Sequence, residues 1–101
     1  MIYHITTKSN WDKAIANGAF DTESLYTEGF IHSSKKEQVA GVLERYYKNA
    51  TDLLMLHIDE SKLTSPLQYE LAPSINETFP HIYGKLNLEA VVQVENISST
   101  I

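Results

Sequence analysis

Residues 53–58 read Leu-Leu-Met-Leu-His-Ile, an almost unbroken apolar run near the middle of the chain. A short run of this kind is typical of a central β-strand that is covered on both faces. Upstream of it, Ser34 to Glu37 fits a capping box, and apolar residues then recur at helical spacing as Val39, Val42, Leu43, Tyr46 and Tyr47. The sequence therefore predicts a helix that ends near residue 48 and is followed by a central strand at 53–58.

The rest of the chain supplies more strands than helices. A short first helix is predicted between an N-cap at Ser9 and a C-terminal stop at Gly18, with single helical turns at 22–26 and 59–63. Extended segments, marked by β-branched and aromatic residues, are predicted at 2–6, 29–33, 67–71, 79–84 and 90–97. Helices come early and strands late, which favours an α+β fold with two main helices and a split or mixed β-sheet.

Length and composition indicate one domain over residues 1–101, with a C-terminus that frays from about residue 98. Cysteine is absent, which excludes disulfides, thiolate metal sites and thiol catalysis. The first residues lack the regions of a signal peptide, and no apolar run is long enough to span a bilayer. We therefore expect a cytoplasmic protein that does not associate with membranes.

The charge balance limits the partners. Eight Lys+Arg face thirteen Asp+Glu, giving a net charge of −5. General binding of nucleic acid depends on cancelling phosphate charge, so this chain is a poor candidate for it. A small phosphorylated ligand or an RNA end could still bind at the local basic pair Lys35-Lys36.

Three of the four histidines share one kind of setting. His4, His32 and His81 each lie in a short strand-like stretch beside aromatic and hydroxyl residues. A neutral imidazole donates one hydrogen bond and accepts another, which suits it to reading ribose hydroxyls or to acid–base catalysis. We predict that these three side chains converge on one cleft, and we interpret His57 as structural.

Two further features are open to more than one interpretation. Ser33-Ser34-Lys35-Lys36 at a helix start could hold an anion on free N–H groups, but an ordinary capping box with solvated lysines is favoured on the sequence alone. Glu70 could be a base in the cleft or a carboxylate on the solvent face, and the solvent face is favoured. No metal is expected, because the histidines show no i, i+2 or i, i+4 pair.

Several phrases of the sequence resemble the domain of unknown function 952 family over nearly the whole chain. The most specific are Glu28-Gly-Phe-Ile-His-Ser-Ser34 and Phe79-Pro-His-Ile-Tyr-Gly84. Others are Tyr3-His-Ile-Thr6, Trp11, Ser24-Leu25, Gln38-Val39, Asp52-Leu-Leu54, Tyr69-Glu70 and Leu86-Asn-Leu88. The family usually has Cys where Ser33 stands and often Trp where Tyr69 stands.

The resemblance implies an ADP-ribosyltransferase-like fold, in which a split sheet surrounds an NAD-binding cleft. In that superfamily His4 would match the first-strand position and His32 the second. The late strand reads Pro80-His81-Ile82-Tyr83 and lacks the usual glutamate, which is closer to the RNA 2′-phosphotransferase branch. That branch also uses basic residues that this chain mostly lacks, having Arg45 alone as its arginine.

The leading hypothesis is therefore a glycosyl-transfer enzyme that acts on NAD, as a substrate, or on another phosphorylated ligand. Its catalytic residues would be His4, His32, His81 and Glu70. Its contacts to NAD would be His4, Thr6, Ser33, Ser34, Lys35 and Tyr83. The alternatives are a non-catalytic module that binds a nucleotide or an RNA end, and a protein-interaction domain with a vestigial cleft.

Overall fold

The computed structural model describes residues 1–97, so the predicted fraying from residue 98 lies outside the described part. Three α-helices are formed: α1 (Lys8–Asn17), α2 (Glu23–Thr27) and α3 (Val39–Tyr46). The strands are β1 (Ile2–Thr7), β2 (Ala19–Phe20), β3 (Ile31–His32), β4 (Leu53–Ile58), β5 (Leu67–Ala72), β6 (Glu77–Ile82), β7 (Leu86–Asn87) and β8 (Val91–Asn96). Single 3₁₀ turns lie at Lys36–Gln38, Glu60–Lys62 and Leu88–Ala90.

The strands form three small sheets, ordered β1-β4-β8, β2-β7 and β3-β6-β5. The predicted α+β class and the central position of residues 53–58 are confirmed. The prediction of a mixed sheet is wrong, because every strand pair within residues 1–97 is antiparallel. Parallel pairs need long crossovers, whereas β5 and β6 are joined by a turn of only a few residues.

A small core joins the three sheets. Its fully buried side chains come from all of them: Ile2, Leu56 and Ile58 from the first, Phe20 and Leu86 from the second, and Ile31 and Ile82 from the third. The two-residue strands β2 and β7 were not predicted, because two residues carry no readable alternation. Each nevertheless contributes one large core residue, at the pair Phe20–Leu86.

Helix α1 has a different start from the predicted one but the same end. Its N-cap is Thr7 rather than Ser9, since the Thr7 hydroxyl accepts a hydrogen bond from the Asn10 N–H at 3.1 Å. Gly18 ends the helix as predicted, in the left-handed region at φ 83°. The Gly18 N–H donates to the Ala14 carbonyl at 2.8 Å, which closes the last turn.

Substitution of Gly18 by Ala is expected to destabilise the fold by about 1 kcal/mol and to lower Tm by about 4–8 °C. An added Cβ would have no atom within 4 Å, so the loss comes from the positive φ alone. Thermal unfolding followed by circular dichroism measures it. Gly18→Asn is the control and should lose less, because Asn tolerates this region; equal stability of Gly18→Ala and the parent would contradict the expectation.

The start of α3 corrects the predicted capping box at Ser34 and Glu37. Ser34 instead exchanges two backbone hydrogen bonds of 2.8 Å with Tyr3, which extends β3 toward β1. The side-chain oxygen of Gln38 accepts from the Lys35 N–H at 2.9 Å, and α3 begins only after this turn. The helix ends at Tyr46, whose side chain is exposed rather than part of a core stripe.

Candidate functional site

A cleft of about 720 Å³, here called the central cleft, lies between β1, α3 and the β5–β6 hairpin. His4, His32 and His81 all line it, so side chains that are far apart in sequence share one concave surface. A shallower groove beside α1 contains none of the predicted site residues. The three histidines therefore line one concave surface, while its use as a functional cleft and their roles remain predictions.

Strand register brings His32 and His81 together. They are direct partners across the antiparallel pair β3–β6, and side chains at such positions project from the same face. Their ring centroids lie 5.2 Å apart at an interplanar angle of 76°. Phe30 stacks on His81 at 4.0 Å and meets His32 edge-on at 4.8 Å, which holds both rings in place.

His4 is neutral and has one free acceptor. Burial lowers its pKa from 6.5 to about 4, and the hydrogen bond to the His32 carbonyl only partly offsets this. Because a carbonyl can only accept, Nδ1 carries the proton and donates to the His32 oxygen at 2.5 Å. Within residues 1–97 the other ring nitrogen, Nε2, has no hydrogen-bond partner, so it is an acceptor available to the cleft.

His81 is oriented by a carboxylate that lies behind it. Nδ1 donates to Glu70 Oε1 at 2.7 Å, and the Tyr83 hydroxyl donates to the same oxygen at 2.5 Å. These bonds, Tyr83 first, lower the pKa of Glu70, and the pKa of Tyr83 is raised by the same interaction. Neither Glu70 nor Tyr83 lines the cleft, and their predicted direct roles in catalysis and in NAD binding remain predictions.

Ser33 and Ser34 line the cleft, and the Ser33 hydroxyl stands out. Ser33 is 4% exposed, and its Oγ is buried with no hydrogen-bond partner among the described residues. A buried hydroxyl without a partner is costly, which makes it a marker for a bound group.

The predicted anion cradle on backbone N–H groups is not formed. The N–H groups of Ser33, Ser34 and Lys35 donate to Pro80, Tyr3 and Gln38 respectively, so none is free. The Lys35 side chain extends to the Thr78 hydroxyl at 3.4 Å and does not line the cleft. Thr6 is buried on β1 and does not line it either. The predicted contacts of Lys35 and Thr6 to NAD remain predictions.

Sequence reasoning missed two charged residues that line the cleft. Arg45 lies on α3, where its guanidinium is 5.8 Å from the Tyr46 ring centroid and makes no ion pair within residues 1–97. Glu28 also lines the cleft, and its carboxylate accepts a hydrogen bond from His32 Nε2 at 3.1 Å. No catalytic or binding motif of the sequence marks either residue, although Arg45 is the only arginine of the chain.

The remaining histidine lies elsewhere. His57 Nε2 bonds Glu95 at 2.9 Å, and its ring meets Tyr3 edge-on at 5.0 Å, outside the cleft. Across residues 1–97, no group of three His, Asp or Glu side chains is placed to hold a metal ion. No described helix has both the length and the apolar character that a membrane span requires.

The fold is similar to that of a solved bacterial protein, CC0527 from Caulobacter crescentus. Its crystal structure matches with a TM-score of 0.84 at 28% identity, over 96% of this chain and 83% of that one. The solution NMR structure of the same protein gives 0.82 at 28% identity, over 96% and 84%. Both structures were determined as structural genomics targets.

No curated protein matches the sequence. A family model described as "Protein of unknown function (DUF952)" matches residues 5–94, which is most of the chain and includes the cleft histidines His32 and His81. His4 itself lies one residue before the match. On the extent of this match, the chain belongs to the DUF952 family.

Proposed function

We propose that the central cleft binds a phosphorylated nucleoside and transfers its ribosyl group, with NAD as the donor. The observation that carries the proposal is a set of four side-chain groups that share the cleft and lack partners within residues 1–97: His4 Nε2, His81 Nε2, Ser33 Oγ and the Arg45 guanidinium. Ribose hydroxyls complement the imidazole and serine groups, and a phosphate complements the guanidinium.

The charge state of His4 suits it to binding rather than to proton transfer. Its low pKa keeps the ring neutral at physiological pH, so Nε2 accepts a hydrogen bond from a ribose hydroxyl. Ser33 can donate or accept, and a ligand oxygen beside it would remove the cost of its unpaired hydroxyl, about 1–3 kcal/mol. These two groups come from adjacent extended segments that are fixed by the Tyr3–Ser34 pairing.

We assign the chemical step to His81. As the bond between ribose C1′ and the pyridinium nitrogen of NAD breaks, its electron pair neutralises the ring and an oxocarbenium-like charge develops at C1′. An acceptor hydroxyl attacks C1′ in the same step, and its proton passes to His81 Nε2. Glu70 on Nδ1 fixes the tautomer that has Nε2 unprotonated and stabilises the imidazolium that forms.

The choice of NAD depends on fold-level analogy. The resemblance to ADP-ribosyltransferase-like proteins, including the RNA 2′-phosphotransferase branch, supports it, and the division of the sheet is compatible with it. The acceptor in such a reaction would be a hydroxyl or a phosphate at an RNA end. We also propose a cytoplasmic location, on the basis of the composition of the sequence.

A non-catalytic nucleotide-binding or RNA-end-binding module is the second candidate. It is favoured by the position of Glu70 behind His81, which leaves Glu28 as the only carboxylate that lines the cleft among residues 1–97. Release of nicotinamide from NAD separates the two candidates: turnover supports the transferase, and tight binding without release supports the module.

Simultaneous replacement of His4 and Arg45 by Ala is expected to weaken NAD or ADP-ribose binding by at least about 100-fold, from two lost interactions of about 1.4 kcal/mol each. Isothermal titration calorimetry measures the affinity, and circular dichroism confirms that the variant is folded. His57→Ala is the matched control, because His57 is a half-buried strand histidine outside the cleft. Unchanged affinity in the double variant would reject the assignment.

A further inference from the structure

We infer that the central cleft selects a mononucleotide whose base carries a positive charge, such as a pyridinium nucleotide with a single phosphate. This inference rests on the proposed function and keeps its ribosyl transfer, but it assigns a donor with one phosphate in place of NAD, which has two. It follows from two opposite charges that line one cleft without neutralising each other.

The two charges come from different elements of the chain. Glu28 lies at the end of α2 and accepts a hydrogen bond from His32 Nε2 at 3.1 Å, which holds its carboxylate beside β3. Arg45 lies on α3 and has no carboxylate within 4.0 Å among residues 1–97. A ligand with a cation at one end and an anion at the other would therefore complement the cleft.

The number of charges limits the ligand. Among the described residues, Arg45 is the only Lys or Arg side chain that lines the cleft, and Glu28 is the only Asp or Glu. One guanidinium can bind a single phosphate in a bidentate manner. A second phosphate would find no cation, because Lys35 is directed to Thr78 outside the cleft. A volume of about 720 Å³ is within the usual range of small-molecule sites.

Ser33 supplies a second observation at this surface. Its hydroxyl is buried, has no partner among residues 1–97, and belongs to a residue that lines the cleft. Together with the acceptor on His4, it provides neutral hydrogen-bonding groups for the ribose that joins a charged base to a phosphate.

The experiment compares matched ligands by calorimetry on the full chain. Nicotinamide mononucleotide carries both charges, its reduced form has a neutral ring, and nicotinamide riboside has no phosphate. The mononucleotide should bind the parent protein at least about tenfold more tightly than either analogue. NAD and ADP-ribose, which carry two phosphates, should bind no more tightly than the mononucleotide.

Two variants assign the effect to residues. Glu28→Gln should abolish the preference for the oxidised ring and keep the preference for the phosphate, and Arg45→Gln should do the reverse. Glu23→Gln removes the same charge from α2 at a residue that does not line the cleft, and should change neither preference.

Each result has a defined meaning. Equal binding of the oxidised and reduced mononucleotides would overturn the inferred role of Glu28 while leaving the proposed function in place. Tighter binding of NAD by about tenfold or more would overturn the single-phosphate assignment. Failure of every nucleotide to bind would reject the proposed function itself, and this inference with it.

Discussion

Replacing His81 by Ala is expected to slow nicotinamide release from NAD by about 10²- to 10⁴-fold, the usual contribution of a general base. Nucleotide affinity should fall by less than about tenfold, since the proposed role of Nε2 is toward the acceptor rather than the ribose. The structural reason is that Nδ1 is bonded to Glu70 while Nε2 has no partner within residues 1–97. Steady-state kinetics separates the effects on kcat and KM.

Glu70 variants test whether His81 acts through its orientation. Glu70→Ala should lower kcat with little change in KM, because the carboxylate does not line the cleft. Glu70→Gln keeps an oxygen that can accept from Nδ1 and should recover part of the rate, which a merely structural role would not predict. Unchanged release by His81→Ala, or equal losses of rate and affinity, would contradict the assignment of a general base.

The fold was predictable wherever the decisive interactions are local. The apolar run 53–58 and the stop at Gly18 both carry their structural meaning in adjacent residues. The start of α3 was not predictable in this way, because Ser34 pairs with Tyr3, which lies 31 positions earlier in the sequence. A hydroxyl residue before a helical stretch looks like an N-cap until a distant strand takes its backbone groups.

The candidate site was likewise predictable only in part. Side-chain chemistry drew attention to His4, His32 and His81, and the pairing of β3 with β6 then placed two of them side by side. The predicted roles of Lys35 and Thr6 assumed that their polar groups were free and that their side chains faced the cleft. Only tertiary contacts decide these two properties. Arg45 and Glu28 were not predicted, because single charges on a helix and in a loop are usually solvated.

Stability is expected to fall by up to about 3 kcal/mol as the pH drops from about 6.5 toward 4, because of His4. Its pKa is about 4 in the folded chain and 6.5 in the reference state. Between these pH values His4 is protonated in the unfolded chain but not in the folded chain, so the free energy of unfolding rises with pH across this interval. Above it, the contribution of His4 to stability is complete. Urea denaturation at a series of pH values measures the slope, about 1.4 kcal/mol per pH unit at most.

His4→Asn tests the source of that slope, since Asn keeps a donor for the His32 carbonyl but does not titrate. Its free energy of unfolding should be lower overall, and its slope between about pH 5 and 6.5 should be flatter than in the parent. The fold lowers the pKa values of three carboxyl groups, those of Asp59, Glu60 and Glu70. The stability that they contribute is lost only at still lower pH, because their ordinary pKa values lie near 4. An equally steep slope in His4→Asn would show that His4 is not kept neutral by the fold, and would remove the basis for its role as a ribose acceptor.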